Sequence, residues 1–250
     1  MDLGKAFKRY GSVVESFVHK TRSKKNTDLI SEPSFVPDNG VYILHETLGV
    51  KTVEGWNKKF NNGVIGILVI EDEHQLVVAL EDAPDFYLNW SEKDGLVNRP
   101  VEDIEDAESD FNGEEHCVKL NSPDFPAAYY CLNYKKGNRS WYLPSSGELW
   151  LIYNHLEEIQ NALETVGGQK FVTTWDEDIP VYWSSTEYSA AGAWYLRLTN
   201  GHLGGWGGKV SDSSKVRPVS NFRKKNTLRE SFTKKISSKK NNPDWFLCFP

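Results

Sequence analysis

At 250 residues, 26% charged and 39% hydrophobic, the chain has the composition of a soluble globular protein, with length for one large domain or one domain and a smaller companion. No run of about 18 apolar residues is present, and residues 1–25 hold no apolar h-region, so neither a membrane span nor a secretory signal is expected. The formal net charge of −6 hides an uneven spread: 7 Lys/Arg against 2 Asp/Glu in residues 1–25, 8 against 2 in 223–250, and 14 against 31 between them, a net of −17 that argues against nucleic-acid binding by the body.

In chain order, residues 2–19 read as an amphipathic helix. Leu3, Phe7, Tyr10, Val14 and Phe17 recur at spacings of 4 and 3, the seam of a short coiled coil or of a helix docked on its own domain. Residues 20–39, basic and then Ser- and Pro-bearing, read as a linker. Val41–Leu44, Val64–Ile70 and Gln75–Leu80 read as strands, the last two joined into a hairpin by Glu71-Asp72-Glu73-His74. Residues 81–100 are loop-rich. Val101–Cys117 is acidic, with Ile104, Ala107 and Phe111 at helical spacing, and predicts a solvated helix ending at Gly113. Glu108–Gly113 has the look of a calcium loop, but Lys119 stands where a bidentate Glu is needed, so calcium is rejected.

Ala127–Tyr134 fits a helix or a strand, with helix preferred. Ser145 and Glu148 form a capping box, after which Leu149, Ile152, Leu156, Ile159 and Leu163 line one helix face up to Gly167-Gly168. From Val181 onward, short strands alternate with glycines: Val181–Thr186, Trp194–Thr199, His202–Lys209 and Lys215–Phe222, with Asn200-Gly201 as a turn. Residues 223–240 are a basic tail, and Trp245, Phe246, Leu247 and Phe249 form an apolar plug for another surface or for this domain. Cys117, Cys131 and Cys248, sparse and odd in number, favour reduced thiols, with a Cys117–Cys131 bridge as the alternative.

The stretch from Trp141 to Phe222 is the most specific. It opens with Trp141-Tyr142-Leu143-Pro144-Ser145-Ser146-Gly147-Glu148-Leu149, passes through Tyr182-Trp183-Ser184-Ser185-Thr186-Glu187 and Ala193-Trp194-Tyr195, and closes on Val216-Arg217-Pro218-Val219. In that order these motifs resemble the C-type lectin-like domain of bacterial and phage adhesins. The domain that ends bacterial collagen-like adhesins is similar, as are variable proteins diversified by retroelements in Bacteroides-type bacteria and their phages. The resemblance covers roughly Asp110 to Phe222. It implies an α+β fold: a lectin-like display domain (101–222) of short twisted antiparallel strands and two helices. The other expected parts are an N-terminal helix and linker (1–39), a strand-rich region (40–100) packing on or preceding that domain, and a basic C-terminal tail (223–250).

In such relatives, variable residues lie between fixed anchors on a solvent-facing sheet. The corresponding positions here are Tyr188, Ala191, Gly192, Tyr195, Arg197, His202, Gly204, Gly205, Trp206, Gly207, Val210, Ser213, Ser214 and Lys215. Strand alternation independently places Tyr195, Arg197 and Thr199 on one face and Trp194, Leu196 and Leu198 on the core side. The run Gly204-Gly205-Trp206-Gly207-Gly208 reads either as part of the face or as a bend that buries Trp206. Trp141, Trp183 and Trp194 are expected inside. Arg217 is expected to fix loops through its five donors, paired with Glu187, and Pro218 marks an edge strand or bulge.

The expected function is a non-enzymatic ligand- or receptor-binding protein of a phage tail or virion, made in the bacterial cytoplasm. Its expected partners are a host-surface protein or glycan, other virion or surface-assembly proteins met through the basic termini, and further copies of itself. No cofactor, metal or nucleic acid is expected. The alternative is a structural virion or surface component whose lectin-like domain packs on its neighbours. A third reading, an oxidase like the formylglycine-generating enzymes of a related fold, needs a close reactive cysteine pair. Cys117 and Cys131 precede the helix rather than lying in the terminal loops. The 6 His show no metal spacing, and no Gly-x-Ser-x-Gly or phosphate loop is present. The calcium-binding Glu-Pro-Asn and Trp-Asn-Asp triplets of sugar-binding lectins are missing, so the ligand class stays open.

Overall fold

The computed structural model describes residues 37–84, 87–174 and 181–222. The helix expected at 2–19, most of the linker, Cys248 and the basic tail with its plug lie outside the described residues. The described chain runs β1 (Gly40–His45), β2 (Gly49–Thr52), a 3-10 turn (Lys58–Gly63), β3 (Val64–Glu71), β4 (His74–Val78) and β5 (Leu88–Asn89). Five helices follow: α1 (Ile104–Glu108), α2 (Gly113–Lys119), α3 (Pro126–Asn133), α4 (Ser146–Asn154) and α5 (Leu156–Val166). The chain then returns through β6 (Val181–Glu187), β7 (Gly192–Arg197), β8 (His202–Gly208), β9 (Ser213–Ser214) and β10 (Val219–Asn221). The fold is mixed α+β.

β3 reads Val-Ile-Gly-Ile-Leu-Val-Ile because both its faces are covered. Ile67 and Val69 join Ile43, Leu76 and Val78 in the main core. Leu68 and Ile70 point the other way, into a second cluster with Leu44, Val77, Trp141 and Phe222. The β3–β4 hairpin closes with Glu71 opposite His74 and Asp72 at φ 53°, so the expected four-residue connection is a two-residue turn. All pairings in this five-stranded sheet are antiparallel, and its order is β10-β4-β3-β1-β2.

That order joins the strand-rich region expected at 40–100 to the segment expected at 101–222. β10 pairs with β4, and β5 pairs with β9, so residues near 220 complete a sheet begun near 40. The strand-rich region and the segment carrying the lectin-like motifs share their core. Pro218 stands just before β10, an edge strand of this sheet, where its missing N–H costs no ladder bond.

Two helix expectations also change. The helix after Ser145 breaks at His155, whose φ of −110° and ψ of 20° end α4 and begin α5. The break has a packing reason. α4 lies against β6 and β7, while α5 lies against β1 and β3, and one straight rod would not serve both sheets. Gly167, at φ 76°, ends α5 as expected. Gly113 starts a helix instead of ending one. A Cβ there would lie 2.3 Å from Glu148 Oε2 and 2.8 Å from the Ser145 nitrogen, so glycine lets α2 close onto the start of α4. The carboxylate of Asp110, in the rejected calcium loop, is occupied by protein donors: Thr186 Oγ1 at 2.6 Å and the Asn112 backbone N–H at 3.2 Å. Ala127–Tyr134 is helical, as α3.

Candidate ligand-display face

The three-stranded sheet β6-β7-β8 carries most of the sequence-derived site. Its base is a run of small polar residues turned inward. Trp183 pairs with Tyr195 and Glu187 with Ala193, so β6 makes four steps where β7 makes two. The three residues between those pairs, Ser184-Ser185-Thr186, face Trp194 alone and are fully buried. Ser184 Oγ donates to the Trp194 carbonyl at 2.8 Å, and the Ser184 carbonyl accepts from Trp90 Nε1 at 2.8 Å. Ser185 N–H donates to the Pro144 carbonyl at 2.7 Å. Such satisfaction is what makes a buried polar run tolerable.

At the end of β6 sits an ion pair that is 0% exposed on both sides: Lys209 Nζ lies 2.5 Å from Glu187 Oε1. Lys209 spends its other donors on the carbonyls of Gly95 (2.9 Å) and Ala190 (3.3 Å), and its ammonium lies 4.7 Å from the Trp90 ring centroid. Glu187 accepts from the backbone N–H groups of Val97 and Asn98. One pair thereby ties three loops, 92–98, 188–191 and 208–212. The Gly95 N–H to Ala190 carbonyl bond (2.8 Å) and the Lys209 N–H to Ala191 carbonyl bond (3.0 Å) join the same loops.

The pairing expected between Glu187 and Arg217 is therefore corrected. Arg217 Nε pairs with Asp82 Oδ1 at 2.5 Å, and its other nitrogens donate to the Ala79 and Gln169 carbonyls, each at 3.0 Å. The guanidinium lies 4.2 Å from the Phe171 ring centroid, and Asp82 also accepts from Tyr182 Oη at 3.0 Å. Burial, then the Asp82 carboxylate, pushes the Tyr182 hydroxyl well up, so it stays a donor. Arg217 fixes loops as expected, with a different partner.

Trp206 is 80% exposed, whereas Trp90, Trp141, Trp183 and Trp194 are 4% or less. The bend that would bury it is not formed. β8 instead carries one extra residue between its pairings of Gly207 with Ala193 and Gly204 with Tyr195. The bulge turns Trp206 outward beside Tyr188, with ring centroids 4.8 Å apart. Tyr188 in turn stands edge-on to buried Trp194 at 5.5 Å. The neighbouring glycines are needed by rings. A Cβ on Gly205 would lie 2.4 Å from Tyr188 Cδ2, one on Gly204 2.6 Å from Tyr195 Cζ, and one on Gly207 2.5 Å from the Trp183 ring.

These contacts split the expected set over two faces. Tyr195, half-buried, lies with Trp183, His202, Gly204 and Gly207. Arg197 pairs with His202 on that face, and His202 is exposed. Thr199 is half-buried, while Trp194, Leu196 and Leu198 are core. Tyr188, Gly205 and Trp206 belong to the opposite face. Exposed Ala191 and Val210 lie on the loops around Trp206, and Ser213 is exposed beyond them. Gly192 is buried, its missing Cβ 2.9 Å from the Gly205 carbonyl oxygen.

Ser214 and Lys215 do not belong to either face. They are 2% and 7% exposed, because Ser214 pairs with Leu88 and the Lys215 backbone pairs with Val181 and Trp183. Sequence reasoning missed Leu96, 54% exposed on the loop that Lys209 ties down, and it missed Lys209 itself. The available signal was a lone charge closing a glycine-rich strand.

Glu148, Cys117 and Cys131 are buried elsewhere in the described body. Glu148 accepts from Tyr142 Oη and the Ser145 N–H, each at 2.8 Å, and burial pushes its carboxyl up to about 7. Burial pushes the Cys117 thiol up to about 12 and raises that of Cys131 as well; both are free. Among the described residues, no group of three or more His, Cys, Asp or Glu is placed to hold a metal ion. No described helix is long and apolar enough to cross a membrane.

No protein-family model matches the chain, and no curated protein sequence matches it. Among solved structures, a fimbrial protein from Bacteroides ovatus ATCC 8483 has a similar fold, with a TM-score of 0.54 at 18% identity over 74% of this chain. The match takes in 49% of that protein, so this chain spans about half its length. At that identity the likeness speaks for the fold alone: a mixed α+β architecture shared with a bacterial fimbrial protein.

Proposed function

We propose that this chain is a non-enzymatic display protein that presents the Trp206 patch to a ligand on an opposing surface. The observation that carries the reading is Trp206 itself, 80% exposed on a bulge of β8 and set against Tyr188. Leu96, Ala191 and Val210 are also exposed, on the loops that the Glu187–Lys209 pair ties together, and exposed apolar surface marks interaction sites. Tyr188 and the buried Glu187–Lys209 pair hold the patch in place before binding, so little ordering entropy is lost on contact.

The C-type lectin-like architecture belongs to the same reading, supported by the order of the Trp141–Val219 motifs and by the α+β frame that carries them. A host-surface protein or glycan is the ligand class, and a bacterial surface is the setting that the fimbrial likeness favours. A phage virion and diversification of the patch are the finer form of the proposal. The burial of Cys117 and Cys131, which are not bridged to each other, favours a binding role over an oxidase. The alternative of packing on neighbours in an assembly draws support from the acidic body and basic flanking segments.

The test is binding of the purified chain to protein and glycan arrays and to host-type cells. Trp206→Ala with Tyr188→Ala should abolish binding, while Tyr195→Ala with Arg197→Ala, on the other face, should leave most of it. Unchanged binding by the first pair defeats the reading. Immunolabelling of cells and of purified phage particles decides between the two settings.

A further inference from the structure

The Trp206 patch holds a carboxylate as well as its rings. Trp206 and Tyr188 are tilted 50° to each other with centroids 4.8 Å apart, an open corner of π surface. Gly207 turns toward Trp183 and Tyr195, so Gly208 returns to the side of Trp206. Its cross-strand partner Gly192 marks the same side, since a Cβ there would lie 3.5 Å from Tyr188 Cδ1. A Cβ on Gly208 would lie 3.4 Å from Asp212 Oδ2. The Asp212 carboxylate therefore stands on the Trp206 side of β8, and glycine leaves the ground between them open. The carboxylate is also oriented: Oδ2 accepts from the Gly208 N–H at 2.8 Å, and Oδ1 accepts from Ser211 Oγ at 3.1 Å. Each oxygen keeps a lone pair for an outside donor.

We infer that the ligand of this patch is a protein that lays an arginine side chain into the Trp206–Tyr188 corner and sets its guanidinium against Asp212. The inference rests on the display reading and narrows it to one class of partner. A guanidinium meets both halves of the site. It is flat, permanently charged and weakly hydrated, it stacks on aromatic faces, of which Trp is the best, and it donates pairwise to a carboxylate. A neutral apolar group would strip water from Asp212 and return no donor to it.

The surrounding charge has the matching sign. Lys209, the cation of the 208–212 loop, is withdrawn from the surface onto Glu187. The exposed charges of the 92–98 and 208–212 loops are Glu92, Lys93, Asp94 and Asp212. Lys93 is bridged to Asp124 at 2.9 Å. Arg99, just past the first loop, is exposed as well. Glu92, Asp94, Asp124 and Asp212 thus outnumber Lys93 and Arg99 on and beside these loops. Residues 26–222 as a whole carry 14 Lys/Arg against 31 Asp/Glu. Such a field draws a cationic partner and turns away an anionic one, and salt weakens it.

The experiment titrates the whole 250-residue chain with a capped Gly-Arg-Gly-Arg-Gly peptide and with its counterpart carrying citrulline, a neutral isostere, in place of arginine. The Trp206 indole N–H signal, assigned by its loss in Trp206→Leu, should move with the arginine peptide. Citrulline should weaken binding about tenfold, because the ring contact and the ion pair are both lost. Asp212→Asn should weaken the arginine peptide about threefold to fivefold at an unchanged melting temperature. Trp206→Leu, which keeps an apolar side chain, should abolish saturable binding. Equal affinity for the two peptides, a still indole signal at about millimolar peptide, or parent-like binding by Asp212→Asn overturns the inference. So does arginine binding that survives Trp206→Leu, which would be diffuse attraction to the acidic body. The citrulline comparison is made on the parent chain and stands whatever the variants do to folding. The display reading fails separately. Array binding indifferent to Trp206→Ala with Tyr188→Ala sinks both, whereas array binding lost in that pair, with equal affinity for the two peptides, removes the arginine alone.

Discussion

Lys209→Met would strand a carboxylate inside the protein. Glu187 is 0% exposed, and with Lys209 gone it keeps the Val97 and Asn98 amides but no countercharge. Removing one partner of a buried pair costs about 3–5 kcal/mol. The two surviving backbone donors put the expected loss near the lower end, about 3 kcal/mol. For a body of this size that lowers the melting temperature by about 6–12 °C. The loss should be local as well as global, because the ammonium holds the Gly95 and Ala190 carbonyls. Replacing both partners, Glu187→Leu with Lys209→Met, should recover a substantial part of the stability, since no charge is then left unpaired. The assay is urea unfolding at pH 7 with amide exchange of residues 95–98 and 188–191. A single variant within about 1 kcal/mol of the parent, or a double variant as unstable as the sum of both singles, would refute the role given to this pair.

Three further outcomes are expected. Trp206→Ala should leave unfolding free energy within about 0.5 kcal/mol while removing ligand binding, since the ring is 80% exposed; a large stability loss would show that it is core. Gly205→Ala places a methyl 2.4 Å from Tyr188 Cδ2 and should cost about 1–3 kcal/mol, read by chemical denaturation and near-ultraviolet dichroism. Glu148, raised from 4.5 to about 7, holds its proton longer in the folded state, so its contribution is full below pH 4.5 and is lost as pH climbs through 7. Glu148→Gln, which keeps a capping-box residue, should flatten that fall by up to roughly 3 kcal/mol across the window. A stability–pH curve identical to the parent's would contradict the shift.

Much of the frame was legible because it rests on period and local chemistry. Leu149 and Ile152 announced α4, the Ser145–Glu148 spacing its start, and Gly167 the end of α5. Trp194, Leu196 and Leu198 announced the buried face of β7. The helix break at His155 was not legible, because the apolar spacing runs through it unchanged. It follows from the different sheets that α4 and α5 must cover. The display face was half legible. Alternation places Tyr195 and Trp206 together, yet one surplus residue in β8 separates them onto opposite faces. A bulge of this kind leaves no mark in a run of glycines that is itself compatible with strand or bend.

By itself, then, the sequence determined the main strands, the start of the helix after Ser145 and the apolar side of β7. The tertiary structure alone decided which charges meet. Arg217 finds Asp82 across 135 positions and Lys209 finds Glu187 across 22, in place of the expected pairing of Arg217 with Glu187. The reason is physical: a buried charge is tolerated only where a countercharge and oriented backbone groups converge on it. That convergence is made by loops brought together in space, and no local pattern records it.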